Sequence, residues 1–247
     1  MADSSTSPRK RESFDGFILG TSADDAAAMN KFHQQLAKEL GIINTQKFIA
    51  AARGRTTDEI LSNYPDLEPP EVVKAIELHI ANSYGKDIRP IGGLNRFLEK
   101  LHAISLLPEH LHRTGRDRCA IVTNASGPRA AAWLKNVGIN NAPQCVPPHL
   151  PGWVQGYMDG RALIGLEHRK ILAIVDNAVG IEAARAAGCQ VVGIRTSTNK
   201  ADISFAKPDW VVEDLEVVAD SVIPIKEEEG TGIEFGIWLP TNTRNWE

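Results

Sequence analysis

The chain has 247 residues, of which 43% are hydrophobic and 23% charged, and its formal net charge is −4. That composition suits a globular protein with a core of its own, and the acidic balance disfavours nucleic acid or a membrane surface as partner, since both select a basic face. No apolar run approaches the ~18 residues of a membrane span.

Residues 1–12, MADSSTSPRKRE, hold a short basic run and no apolar segment of the secretory kind, and read as a disordered arm. FDGFIL is a short apolar strand. The next stretch, SADDAAAMNKFHQQLAKELGI, has the marks of a helix: Ser22 can cap it, Asp24 and Asp25 suit its first turn, and Gly41 ends it. Helical pattern continues through TTDEILSNY and EVVKAIELHIANSYG, so residues 23–88 read as a helical subdomain. The pattern then changes. GGLNRFLEKLHAI is a helix, CAIVT a strand, GPRAAAWLKNVG a helix and QCV a short strand. YMDGRALIGL is a helix, ILAIVD a strand, GIEAARAAG a helix, and VVGI and DWVVED are strands; IEFGIWL near the end adds an edge strand.

Apolar strands alternating with amphipathic helices mean an α/β fold, a doubly wound parallel sheet covered on both faces. The core is drawn from residues 13–22 and 89–247, with the helical cap inserted at 23–88. In such sheets ligands bind beyond the carboxyl ends of the strands. Those ends are Leu19-Gly20-Thr21, Thr123-Asn124, the 147–153 loop and Asp176-Asn177. Cys119, Cys145 and Cys189 are far apart, each at or beside an apolar run. Buried thiols in a reducing, cytoplasmic setting are expected rather than disulfides or a metal site.

ILAIVDNAVGIEAARAAGCQVVGI resembles the fourth motif of the haloacid dehalogenase superfamily, and IVTNASGPRAAAWLKNVGI its second. AARGRTTDEIL resembles the cap loop that reads the substrate, and the whole is most similar to the capped phosphatases of small sugars and glycerol phosphate. The resemblance implies an aspartyl nucleophile, a second Asp as acid/base, a Ser/Thr and a Lys on the phosphoryl oxygens, and Mg²⁺ between carboxylates. Ungapped alignment to Gly20-Thr21 puts Phe17 at the nucleophile and Leu19 at the acid/base. Asn124 falls on the hydroxyl position, Pro151 on the Lys position, and Asp176 is kept with Val175 beside it. A shifted register would use Ser13 and Asp15, but it makes PRKRE a central strand, which a buried sheet does not accept.

The expectation is therefore a phosphatase scaffold whose chemistry has changed. Its pocket would take a non-phosphorylated, partly apolar small molecule, lined by Phe17, Leu19 and Trp153, with Asn124, Asn177, Arg53 and Arg55 as polar contacts. Asp176 and His149 are the candidate catalytic groups. No cofactor is expected, and the Mg²⁺ site reads as lost or weak. Two alternatives stand beside this: a non-catalytic regulator that binds a metabolite or a protein partner, and a residual phosphatase on small sugar or glycerol phosphates.

Overall fold

The computed structural model describes residues 9–20, 23–52, 55–67, 69–105, 118–139, 144–146, 153–195, 203, 205–226 and 233–240. In chain order the elements are β1 (Arg9–Phe14), β2 (Gly16–Leu19), β3 (Ala23–Asp24), α1 (Ala26–Glu39), α2 (Thr45–Ala52), α3 (Thr57–Leu61) and α4 (Pro70–Tyr84). There follow β4 (Arg89–Pro90), α5 (Leu94–Ser105), β5 (Cys119–Val122), α6 (Gly127–Asn136), β6 (Gln144–Val146) and α7 (Trp153–Leu163). The last are β7 (Ile171–Val175), α8 (Ala178–Ala186), β8 (Gln190–Ile194), β9 (Trp210–Val212), α9 (Glu216–Ser221), β10 (Ile223–Lys226) and β11 (Ile233–Pro240). They fall into two compact units, one of residues 1–21, 91–122 and 143–247, the other of residues 22–90 and 123–142.

The first unit is built on a six-stranded sheet of order β6-β5-β2-β7-β8-β9. Every pairing in it is parallel. This is the doubly wound α/β core that the alternating pattern requires. Strands β2, β5 and β7 are buried along their whole length, as apolar runs covered on both faces must be. Side chains alternate by face. Ile18, Ala120, Val122, Ala173 and Val175 join one apolar cluster with Tyr157 of α7 and Ile181 of α8. Phe17 faces the other way and meets Phe97 of α5 edge-on at 5.2 Å. On that face α5 and α9 are tied by Lys100 Nζ donating to Ala219 O at 2.9 Å, and the turn before α5 by Leu215 N donating to Gly92 O at 2.9 Å. Cys119 and Cys189 are buried thiols outside any disulfide, and burial pushes Cys189 above its ordinary value. The side chain of Cys145 lies outside the described residues.

The chain's two ends differ from expectation. Residues 9–12, read as part of a disordered arm, open β1, which pairs antiparallel with β11 from Arg9↔Pro240 to Phe14↔Phe235. Their charges bar them from the buried parallel sheet, but β1 enters a separate three-stranded sheet of order β1-β11-β10, where Arg11 stays exposed. IEFGIWL, read as an edge strand, is the middle strand of that sheet.

The second unit is helical. Leu36 and Phe32 of α1 and Val73, Ile80 and Ala81 of α4 are buried in it, as the helical period demands. Ser22 lies outside the described residues; Asp25 precedes α1 as its cap residue, without a side-chain capping bond. Ala23–Asp24, read as helix, pair instead with Arg89–Pro90 as a short antiparallel ladder. α3 opens with a capping box in which Thr56 and Glu59 satisfy each other's backbone amides. Residues 123–142 were expected with the sheet; they belong to this unit, because a buried ion pair, described below, joins α6 to α4. Among the described residues, no helix is long and apolar enough to cross a membrane.

Candidate active site

In the sheet unit, Gly20 follows β2 and its amide donates to Ile174 O at 2.8 Å, which fixes the end of β2 beside the end of β7. Asp176 and Asn177 come next after β7. Asn177 Oδ1 accepts from Gly180 N at 2.8 Å and caps α8, while Asn177 Nδ2 donates to Asp176 Oδ1 at 3.3 Å. The half-buried Asp176 carboxylate therefore sits one residue before a helix cap, where the helix dipole favours negative charge.

Phe17 and Leu19, expected to line a ligand pocket, are fully buried. As β2 is covered on both faces, these side chains are spent on the core, Phe17 against Phe97. Trp153 is half-buried and packs against the apolar cluster on the opposite face, so it does not share a wall with Phe17. His149, Arg53 and Pro151 lie outside the described residues.

The sequence reading missed Tyr157. This α7 side chain is fully buried, and its hydroxyl lies where a Cβ on Gly20 would stand and 3.2 Å from where one on Gly180 would. Among the described residues the hydroxyl has no hydrogen-bond partner. Burial, and then the charges of Cys189 and Asp176, push it well above its ordinary value, so it is a neutral phenol. The signal available was its place in GWVQGY with glycines on the neighbouring segments: small residues mark where a large side chain must pass.

Asp15 occupies the opposite end of the strands. Its carboxylate accepts from Lys170 N at 2.8 Å and its backbone N–H donates to Lys170 O, just before β7 begins. Ser13 lies in β1, in the other sheet. The Ser13–Asp15 register is thus excluded on geometry as well as on charge. The guanidinium of Arg161 is committed to backbone carbonyls, donating to those of Glu167, Arg169 and Ala187.

In the helical unit, Thr123 and Asn124 open the loop that leads into α6. Thr123 Oγ1 accepts from Ala125 N at 3.1 Å, and Asn124 Nδ2 donates to the carbonyl of Arg55 at 3.4 Å. The structure thus brings two predicted residues together, Asn124 and Arg55, through the Arg55 backbone. Below them lies a buried ion pair that sequence reading did not single out. Arg129 of α6 donates from Nη1 to Glu77 Oε1 of α4 at 2.9 Å and from Nη2 to Asn124 O at 3.2 Å. Burial lowers the Arg129 guanidinium from its ordinary value, opposed by Glu77 and Asp25.

The Mg²⁺ that the family resemblance implies needs several oxygen ligands in near-octahedral array. At the ends of β2 and β7 the described side chains are Leu19, Val175 and Asp176, a donor set of one carboxylate. Among the described residues no three His, Cys, Asp or Glu side chains group as metal ligands. That is a sparse donor set for Mg²⁺, which is held by one or two carboxylates together with waters and phosphate oxygens.

No family model matches the chain. It is 25% identical over 207 residues to glycerol-1-phosphate phosphohydrolase 2 of Saccharomyces cerevisiae, covering 77% of this chain and 76% of the relative. It is 28% identical over 224 residues to 2-deoxyglucose-6-phosphate phosphatase 1 of the same organism, covering 81% and 86%. Among solved structures, a haloacid dehalogenase-like hydrolase from Streptococcus pneumoniae superposes with a TM-score of 0.60 at 17% identity, over 80% of this chain and 93% of the other. A parallel six-stranded core of this order and a helical insertion after β2 agree with that likeness: the chain has the fold of the haloacid dehalogenase-like hydrolases, with a cap subdomain.

Proposed function

We propose that the protein hydrolyses phosphate monoesters of small polyols or sugars. The observation that supports it best is the reach of the two relatives, both named as phosphatases of such esters, across 77% and 81% of the chain. This corrects the expectation of a scaffold turned to a non-phosphorylated, partly apolar ligand. That expectation rested on the apolar residues at the aligned catalytic positions and took Phe17 and Leu19 as pocket walls, whereas both are core residues.

The chemistry assigned to this chain follows from its own groups. Strand β2 ends in Leu19, so no phosphoenzyme forms on β2, and water is the nucleophile. Asp176 is the general base: it takes a proton from water as the oxygen attacks phosphorus, and returns it to the alkoxide as the ester P–O bond breaks. The products are inorganic phosphate and the free alcohol. Mg²⁺ enters no step, and its binding is proposed to be weak.

The test is release of inorganic phosphate from glycerol 1-phosphate and 2-deoxyglucose 6-phosphate by purified protein. Release above a protein-free blank is expected. No release from either ester, at protein concentrations that would reveal one turnover per hour, overturns the proposal.

A further inference from the structure

We propose that Glu77 is a positioning residue that locks residues 55–57, where α3 begins, to the loop 123–126, so that the two move as one body and together hold the substrate. This rests on the phosphatase reading for its functional meaning, and on geometry for the coupling itself.

Glu77 lies on the buried stripe of α4 and is 4% exposed. Its two oxygens serve three donors on two separate segments. Oε1 accepts from the hydroxyl of Thr57, in the first turn of α3, and from Arg129 Nη1. Oε2 accepts from the backbone amide of Ser126 at 3.2 Å. Ser126 is the cap of α6, its hydroxyl accepting from Arg129 N. Arg129, 1% exposed, passes the constraint on to the carbonyl of Asn124. Asn124 closes the circuit by donating to Arg55 O, two residues before Thr57. One carboxylate thus fixes residues 55–57 and 124–129 against each other.

A buried ion pair is a poor device for stability alone. Removing two charges from water offsets most of their attraction, and apolar side chains of like volume hold a fold as well or better. What the pair supplies is direction: each oxygen accepts along defined lines, and sliding either loop leaves a buried charge without its partners. Two loops that hold one substrate between them must keep one spacing if they are to present it in a single pose. Misplacement by about 1 Å costs roughly 100-fold in rate.

The experiment compares the wild type with Glu77→Gln and with the charge-free double variant Glu77→Met/Arg129→Met, by hydrogen exchange, melting and kinetics. The double variant is expected to melt within a few degrees of the wild type. Even so, peptides covering both 55–61 and 123–130 should exchange about tenfold faster or more, while those of α1 keep their protection. Glu77→Gln should loosen the same two segments together. On the better of the two esters, kcat/KM should fall about 10- to 100-fold in the double variant despite its retained stability. If either segment keeps wild-type protection in both variants, or if the double variant keeps wild-type kcat/KM, the assignment is wrong. A wild type that releases no phosphate refutes the function proposed above and strips Glu77 of its role in the reaction, while the exchange data still decide the coupling.

Discussion

His33 shows what burial does to a single titratable group. It packs in α1 against the rings of Phe32 and Phe48, is 3% exposed, and its Nε2 has no hydrogen-bond partner among the described residues. Burial, with Arg129 as a second cause, lowers its pKa from 6.5 to about 4. A histidine held neutral in the fold takes up a proton more readily when unfolded. Its contribution is therefore complete above pH 6.5 and is lost as pH falls from there towards 4. The size is on the order of 3 kcal/mol. Melting temperatures of the wild type and His33→Leu at pH 7 and pH 4.5 measure it: the wild type should lose more on acidification, and equal losses would mean His33 is solvated. Tyr157 gives a second test. Gly20→Ala drives a methyl into its hydroxyl and should cost about 1–3 kcal/mol. Tyr157→Phe removes a hydroxyl that has no partner among the described residues, so alone it should be neutral within about 0.5 kcal/mol or stabilising. In the Gly20→Ala background it should restore most of the loss, read by urea denaturation of all four proteins. Additive effects would show that the two do not touch.

At the scale of elements, β5, β7 and β8 were legible because CAIV, ILAIV and VVGI are continuous apolar runs, which only a strand covered on both faces explains. β1 was not legible as a strand. Its charges correctly ruled out the central sheet, but they do not rule out a strand paired with β11 in a sheet with an open face. The assignment of α6 failed for a related reason. Arg129 looks like a surface residue in GPRAAAW, yet it shares the face of Ala130, Trp133 and Leu134, all buried. Glu77 likewise falls on the stripe of Val73, Ile80 and Ala81. A charge on an apolar stripe needs a buried partner, and two such charges of opposite sign on separate helices were a readable, unread sign that α4 and α6 meet. Phe17 and Leu19 misled in the opposite direction. Their position after alignment pointed to a ligand, whereas strand alternation gives each a covered face and a core partner. Asp176 and Asn177 in the sheet unit and Asn124 and Arg55 in the helical unit were singled out from the sequence; Tyr157, Glu77 and Arg129 were not, because an apolar stripe hides its one polar group.

At the scale of the whole molecule, the relatives are named as phosphatases, while the described residues at the ends of β2 and β7 carry one carboxylate, a sparse donor set for Mg²⁺. Two consequences follow. Millimolar Mg²⁺ should leave the melting temperature unchanged within about 1 °C, because a ligand raises it only by binding the native state; a clear rise that Asp176→Asn abolishes would place a metal at Asp176. The second consequence concerns the reaction itself, and one comparison tests it most directly: steady-state release of phosphate from the better ester by the wild type and by Asp176→Asn, both confirmed folded by melting. The account predicts measurable turnover in the wild type and a fall in kcat of about 100-fold or more in the variant, the usual scale for a general base. Full turnover by Asp176→Asn would contradict it.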